Sequence, residues 1–127
     1  MNTQDEISIT VWDEVDLLEE RAGAIGRASE RLGRILAEMN ELAQELDRME
    51  LTIYIPGIST EMCQEIQTEI DVSVDAYNHL REAAAYAYRQ LILLRESCGF
   101  RGHELVQRCY PIPDLRFPTT YLDCLEQ

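Results

Sequence analysis

The sequence contains no lysine, and its 11 arginines are outnumbered by 24 acidic residues, which gives a formal net charge of −13. A nucleic-acid binder needs a basic face to neutralise phosphates, and an anionic membrane surface attracts basic segments for the same reason. The charge balance therefore argues against direct binding to nucleic acid or to a membrane. It leaves another protein as the expected partner, and a basic surface on that partner would complement the charge.

Long apolar runs and targeting signals are also missing. No run approaches the ~18 residues of a membrane span, and residues 1–6 lack the basic, apolar, small-residue order of a secretion signal. Cys63, Cys98, Cys109 and Cys124 are widely and irregularly spaced, so we expect reduced thiols rather than disulfides. These absences predict a cytoplasmic protein.

Motifs that carry a known catalytic mechanism are absent as well. The chain has no glycine-rich phosphate loop, no Gly-x-Ser-x-Gly nucleophile motif and no His-Glu-x-x-His zinc motif. His79, with Asp75 one turn before it and Glu82 one turn after it, has the spacing of a general base with orienting carboxylates. A histidine at the surface or in an interface is favoured, because nothing nucleophilic lies at an interpretable spacing. We therefore predict a protein that is not an enzyme and needs no cofactor.

The strongest structural signal is a bend between two long segments with helical patterns. Proline presets φ near −65° and glycine accepts the positive φ of a type II turn, so Pro56-Gly57 predicts a chain reversal. Ser59 or Thr60 is then placed to cap the second helix, with Glu61 in its first turn. We divide one domain into a terminal segment 1–10, a helix 11–51, the bend 52–59, a helix 60–98, and a short helix with a docked tail at 99–127.

Apolar residues recur every seven positions along the first arm. One line occupies the d positions of a heptad: Leu18, Ile25, Leu32, Met39, Leu46 and Ile53. A neighbouring line widens the stripe beyond the seam of a two-stranded coiled coil: Ala28, Ile35, Leu42 and Met49. The pattern predicts an all-α fold, a long antiparallel helical hairpin that dimerises into a four-helix bundle.

The second arm carries two apolar lines where a surface helix needs one. The first line predicts the core of the hairpin: Cys63, Ile70, Tyr77, Ala84, Leu91 and Cys98. The second line consists of Val72, His79, Tyr86 and Leu93. The second line implies contact with another subunit or with the C-terminal tail, in the same chain or in a partner.

The C-terminal region combines a short helix with a proline-rich tail. Gly99 is placed to end the second helix, and residues 103–109 predict a third. Pro111, Pro113 and Pro118 forbid regular structure beyond it. The tail is too apolar for a solvated linker, so we expect it to dock on the second line of helix 2.

One group of soft ligands falls in this loop-rich region: Cys98, His103, Cys109 and Cys124. These residue types suit tetrahedral zinc, but the spacing is not that of a zinc finger and the paired Cys-x-x-Cys is missing. The favoured interpretation places Cys98 and Cys109 as small buried residues and His103 as an exposed cap.

These features together predict a non-enzymatic protein–protein interaction module, such as a small acidic regulator, adaptor, inhibitor or chaperone-like subunit. Its expected partner surface combines the apolar bend with the outward side of helix 2: Tyr54, Ile55, Ile58, Val72, His79, Tyr86, Tyr88 and Leu93. One alternative is an acidic mimic of nucleic acid that blocks a nucleic-acid-binding protein. Another is a metal-binding or small-molecule sensor or enzyme that uses the C-terminal cysteine and histidine group.

Overall fold

A computed structural model describes the backbone of residues 11–117 and the side chains of residues 14–117. Helix α1 spans Val11–Ile53, α2 spans Thr60–Ser97 and α3 spans Glu104–Cys109. These described residues contain no strand, and α1 packs against α2 along the hairpin, so the predicted all-α hairpin is confirmed. None of the three helices has the length and apolarity that crossing a membrane would require. The predicted N-terminal segment, Pro118 and Cys124 lie outside the described residues.

The bend has the predicted turn, although α1 runs two residues further than expected before reaching it. Gly57 has φ of 83°, and the Ile58 amide donates to the Ile55 carbonyl over 3.3 Å, which closes a type II turn around Pro56 and Gly57. The Ser59 hydroxyl then accepts a hydrogen bond from the Met62 amide at 3.1 Å. Because this side chain satisfies a free amide, α2 begins directly after the turn.

The core follows one heptad line from each arm. On α1 the buried residues are Leu32, Met39, Leu46 and Ile53, and on α2 they include Cys63, Ile70, Tyr77, Ala84 and Leu91. Burying each large apolar side chain contributes about 1.5–3 kcal/mol. Dimerisation is therefore not needed to form this seam.

The apolar residues at the start of α1 are not buried in the core, which corrects the prediction for Leu18 in the d line. Leu18 is 57% exposed, and Val15 is also exposed. The Arg21 guanidinium lies 3.5 Å from the carbonyl of Ser97, the last residue of α2. Since α2 ends at that height, the first ten residues of α1 extend about 15 Å past their neighbour.

Helix α2 ends in a glycine-dependent cap. Gly99 has φ of 93° and donates to the Glu96 carbonyl, while Phe100 donates to the Arg95 carbonyl, each over 3.0 Å. This pair of bonds is a Schellman motif. It turns the chain back toward the hairpin.

Arg95 holds the connection between α2 and α3. Its guanidinium lies 4.7 Å from the centre of the Phe100 ring. It also donates to the Gly102 carbonyl at 3.1 Å and to His103 Nδ1 at 3.3 Å. These contacts return the chain to the hairpin, where Val106 of α3 is buried.

Candidate functional site

The two long faces of the hairpin differ in what covers them. On one face, α3 and residues 110–117 lie in the groove between α1 and α2; we call this the tail groove. The other face carries no chain segment among residues 14–117, and we call it the open face. Its half-buried floor on α1 is the line that the heptad pattern identified: Ala28, Ile35, Leu42 and Met49.

Asn78 binds the main chain of the tail at two points. Its side-chain amide nitrogen donates to the Arg116 carbonyl at 2.9 Å, and its side-chain oxygen accepts from the Arg116 amide at 3.0 Å. Arg81 Nε donates to the Pro113 carbonyl at 2.8 Å. The α2 helix thus holds residues 113–116 as an extended segment, through their backbone.

The Arg116 side chain reaches across the groove to α1. Its Nη2 lies 2.8 Å from an Asp47 carboxylate oxygen and 3.6 Å from one of Glu50, and its Nη1 lies 3.5 Å from the Ala43 carbonyl. The guanidinium carbon lies 5.8 Å from the centre of the Tyr77 ring. The hydrogen bond to Asp47 raises the pKa of Arg116 above its ordinary value, and burial opposes that rise.

This placement corrects the expected docking site of the tail. The tail docks on its own chain, but on Asn78, Arg81 and α1 rather than on the second apolar line of α2. Within residues 14–117 no segment covers that line, where Val72, Tyr86 and Leu93 are each more than half exposed. Asn78, Arg81 and Arg116 supply polar contacts that we call the tail clamp, and Pro111 and Pro113 border a cleft with apolar residues of both long helices.

The uncovered residues form the α2 rim of the open face. Tyr86 borders a shallow cleft with Ala24, Ala28 and Leu94, and Val72 borders another with Met49. Leu93 continues the same line one heptad beyond Tyr86. The open face therefore carries a line of apolar side chains along the hairpin, with charged and polar residues beside them.

The other predicted partner residues separate into exposed and packed positions. Tyr54 and Ile55 are exposed at the bend, whereas Ile58 and Tyr88 are half-buried and pack against the core. Of the two neighbouring tyrosines, Tyr86 therefore faces outward.

His79 is not built into a cleft. Its side chain is 77% exposed, Nδ1 lies 2.8 Å from the Asp75 backbone carbonyl, and the Asp75 carboxylate is 3.7 Å away. A carbonyl oxygen only accepts, so Nδ1 is the donor in that contact. The side chain bonds to its own helix, and Glu82 makes no contact with it among the described residues.

The proposed metal ligands are not assembled by the fold. Within residues 14–117, no three histidine, cysteine or acidic side chains are arranged to hold a metal ion. Cys98 is half-buried, whereas Cys109 is exposed, contrary to expectation. His103 is also not the exposed cap we expected: its ring is mostly buried beside Arg95, its Nε2 lies 3.3 Å from Glu96, and its side chain caps no amide.

Sequence reasoning missed the residues of the tail clamp. Asn78, Arg81 and Arg116 carry no periodic signal, because heptad patterns identify apolar positions and these residues are polar. The acidic Asp47 and Glu50 were indistinguishable from a solvated helix surface. Searches of protein-family models, curated proteins and solved structures find no match to this chain.

Proposed function

We propose that this protein is a non-enzymatic interaction module, a small acidic regulator, adaptor, inhibitor or chaperone-like subunit. The observation that carries the proposal is a set of exposed apolar residues at two places on the hairpin. Val72, Tyr86 and Leu93 lie in one line on the open face, and Tyr54 and Ile55 lie together at the bend. Exposed apolar side chains that recur along one face are a feature of protein interaction sites.

A second copy of the chain is the occupant that we propose for the open face. Arg27 and Arg31 border the cleft near Tyr86, whereas Glu45 and Glu69 border the cleft nearer the bend. An antiparallel copy would bring the basic end of each face to the acidic end of the other. Parallel pairing would bring like charges together.

A two-fold axis midway between Arg31 and Glu45 satisfies this complementarity. The two residues are separated by 14 positions, or about 21 Å of helix. Such an axis makes the contact isologous, so each ion pair would form twice. Exposed ion pairs contribute only ~0.2–1 kcal/mol each, so the charges would select orientation while apolar burial supplies most of the affinity.

In this antiparallel dimer, the two bends lie at opposite ends, where each can bind another protein. Tyr54 and Ile55 supply exposed apolar surface there, and Glu61 supplies negative charge nearby. A partner with an apolar pocket and basic surroundings would complement this end of the hairpin. The dimer would thus present two equivalent partner sites.

The dimer is tested by placing a charge on the open face. We expect Val72→Asp to weaken it without loss of helicity, because each copy would bury a carboxylate in place of an apolar side chain, and the opposing Arg27 and Arg31 would only partly offset the cost of desolvating it. A cost of ~2 kcal/mol corresponds to a roughly thirtyfold rise in Kd. Analytical ultracentrifugation over a concentration series measures this change.

Leu105→Asp is the matched control, since Leu105 is 66% exposed on α3 and Val72 is 65% exposed on the open face. It should leave the Kd of the dimer unchanged. A wild-type protein that stays monomeric at high concentration would refute self-association. An equal effect of both substitutions would refute the assignment of the interface.

The bend is tested by affinity capture from the native cells with wild-type and Ile55→Asp proteins as bait. We expect one stoichiometric partner that survives raised salt with the wild type and is lost with Ile55→Asp. Leu105→Asp should retain that partner. Capture that is unaffected by Ile55→Asp would exclude the bend as the binding surface.

The acidic surface supports a second candidate, a mimic of nucleic acid that blocks a nucleic-acid-binding protein. Both long helices of this chain carry exposed glutamates at regular spacing: Glu38, Glu41, Glu45, Glu61, Glu65 and Glu69. In the same capture experiment, this function would produce a salt-labile partner that added DNA displaces. A partner that stays bound in raised salt and in the presence of added DNA favours the interaction through apolar surface.

A further inference from the structure

We propose that the tail groove is a recognition site for an extended, arginine-bearing peptide segment of another protein, and that the chain's own residues 111–117 occupy it as an intramolecular competitor. The groove lies on the opposite side of the hairpin from the open face. The proposal is therefore independent of dimerisation and of partner binding at the bend.

The contacts from α2 recognise backbone rather than side chains. Asn78 pairs with both the amide and the carbonyl of residue 116, and Arg81 donates to the carbonyl of residue 113. Any extended segment offers these groups at the same spacing. Main-chain pairing gives affinity without restricting sequence, as in other modes of peptide recognition.

The contacts from α1 select the side chain. Asp47, Glu50 and the Ala43 carbonyl surround the guanidinium, and the Tyr77 ring lies beside it. A guanidinium presents several donors in a fixed plane and also stacks on aromatic rings, whereas a lysine ammonium is a compact point charge. These contacts therefore favour arginine over lysine at this position.

The rest of the segment is held less specifically. Asp114, Leu115 and Phe117 are exposed, whereas Ile112 is half-buried and Pro111 and Pro113 border a cleft with apolar residues of the hairpin. A competitor with an arginine and the same backbone groups could replace the polar contacts of the segment. The required features are an arginine and an extended chain with a free carbonyl three residues before it.

The probe is a fluorescein-labelled peptide with the sequence of residues 111–117, Pro-Ile-Pro-Asp-Leu-Arg-Phe. Fluorescence polarisation measures its binding to full-length wild-type and Arg116→Ala proteins. We expect saturable binding to Arg116→Ala, because the internal segment has lost its anchor. A tethered segment has an effective concentration on the order of millimolar. Because the wild-type tail competes at that concentration, the peptide should bind the wild type at least about tenfold more weakly than it binds Arg116→Ala.

Two controls test the assigned contacts. A peptide with alanine in place of its arginine should lose at least about tenfold in affinity, as expected for loss of a charge-assisted pair. Adding Asn78→Ala to the Arg116→Ala protein should weaken binding of the original peptide similarly. Gln44→Ala, at an exposed position of α1 that makes none of these hydrogen bonds or ion pairs, should leave binding unchanged.

Several results would overturn the proposal. These are absence of saturable binding to Arg116→Ala, equal binding of the alanine peptide, and binding indifferent to Asn78→Ala. A dimer that dissociates on Arg116→Ala without gaining peptide binding would instead indicate exchange of tails between copies. If Arg116→Ala does not fold by circular dichroism, excess peptide is titrated into the wild type, and an unmoved NMR signal of the tail's own Arg116 backbone amide overturns the proposal.

Discussion

Replacing Leu32 by aspartate should unfold the hairpin. Leu32 is 0% exposed and lies in the central line of the core. The change removes about 1.5–3 kcal/mol of apolar burial and places a carboxylate in the hydrophobic core. The total approaches the 5–15 kcal/mol by which a typical domain is stable. Circular dichroism at 222 nm should show loss of helix at room temperature or a sharply lowered Tm.

Glu41→Ala is the control for this experiment. Glu41 lies on the same helix and is exposed, with no salt bridge or side-chain hydrogen bond among the described residues. Its removal should change the free energy of unfolding by no more than about 0.5 kcal/mol. Equal tolerance of both substitutions in thermal melts would show that the heptad assignment of α1 is wrong.

Truncating Tyr77 to alanine should cost about 3–5 kcal/mol of stability, the usual range for loss of a large buried aromatic. Tyr77 is 4% exposed and occupies the core line of α2. Its ring also lies beside the Arg116 guanidinium, so the substitution leaves a cavity beneath the anchor of the tail. Urea titration followed by circular dichroism measures the change in unfolding free energy.

Tyr77→Phe separates the ring from the hydroxyl. The described residues provide no hydrogen bond to this hydroxyl, so the phenylalanine protein should unfold within about 1 kcal/mol of the wild type. Limited proteolysis should also cleave the tail faster in Tyr77→Ala than in Tyr77→Phe. A phenylalanine variant as unstable as the alanine variant would mean that the hydroxyl, rather than packing, holds this position.

The hairpin was predictable because its signals are local or strictly periodic. Pro56 and Gly57 can form only a limited set of turns, and the spacing of Leu32, Met39 and Leu46 places them on one side of any helix. Gly99 likewise ends α2 where its position suggested. Each inference required only backbone sterics or helical geometry.

The tail was predicted to dock but not where it docks. The apolar line on α2 was the expected surface, whereas the structure uses Asn78 and Arg81 to bind carbonyls and amides of the tail. Backbone groups are identical at every residue, so a sequence does not indicate which of them a distant asparagine will bind. The ion pairs of Arg116 with Asp47 and Glu50 were likewise not predictable from the sequence, because many acidic residues are available to a distant arginine.

The sequence by itself determined two long helices, the turn between them and the buried line of each, because turn sterics and helical period act over a few neighbouring residues. Only the tertiary structure decided which face the tail covers and which face stays open. It also decided that the N-terminal end of α1 extends past the C-terminal end of α2, which leaves Leu18 exposed. These features depend on pairings between residues 32 to 76 positions apart, such as Arg81 with Pro113 and Arg21 with Ser97.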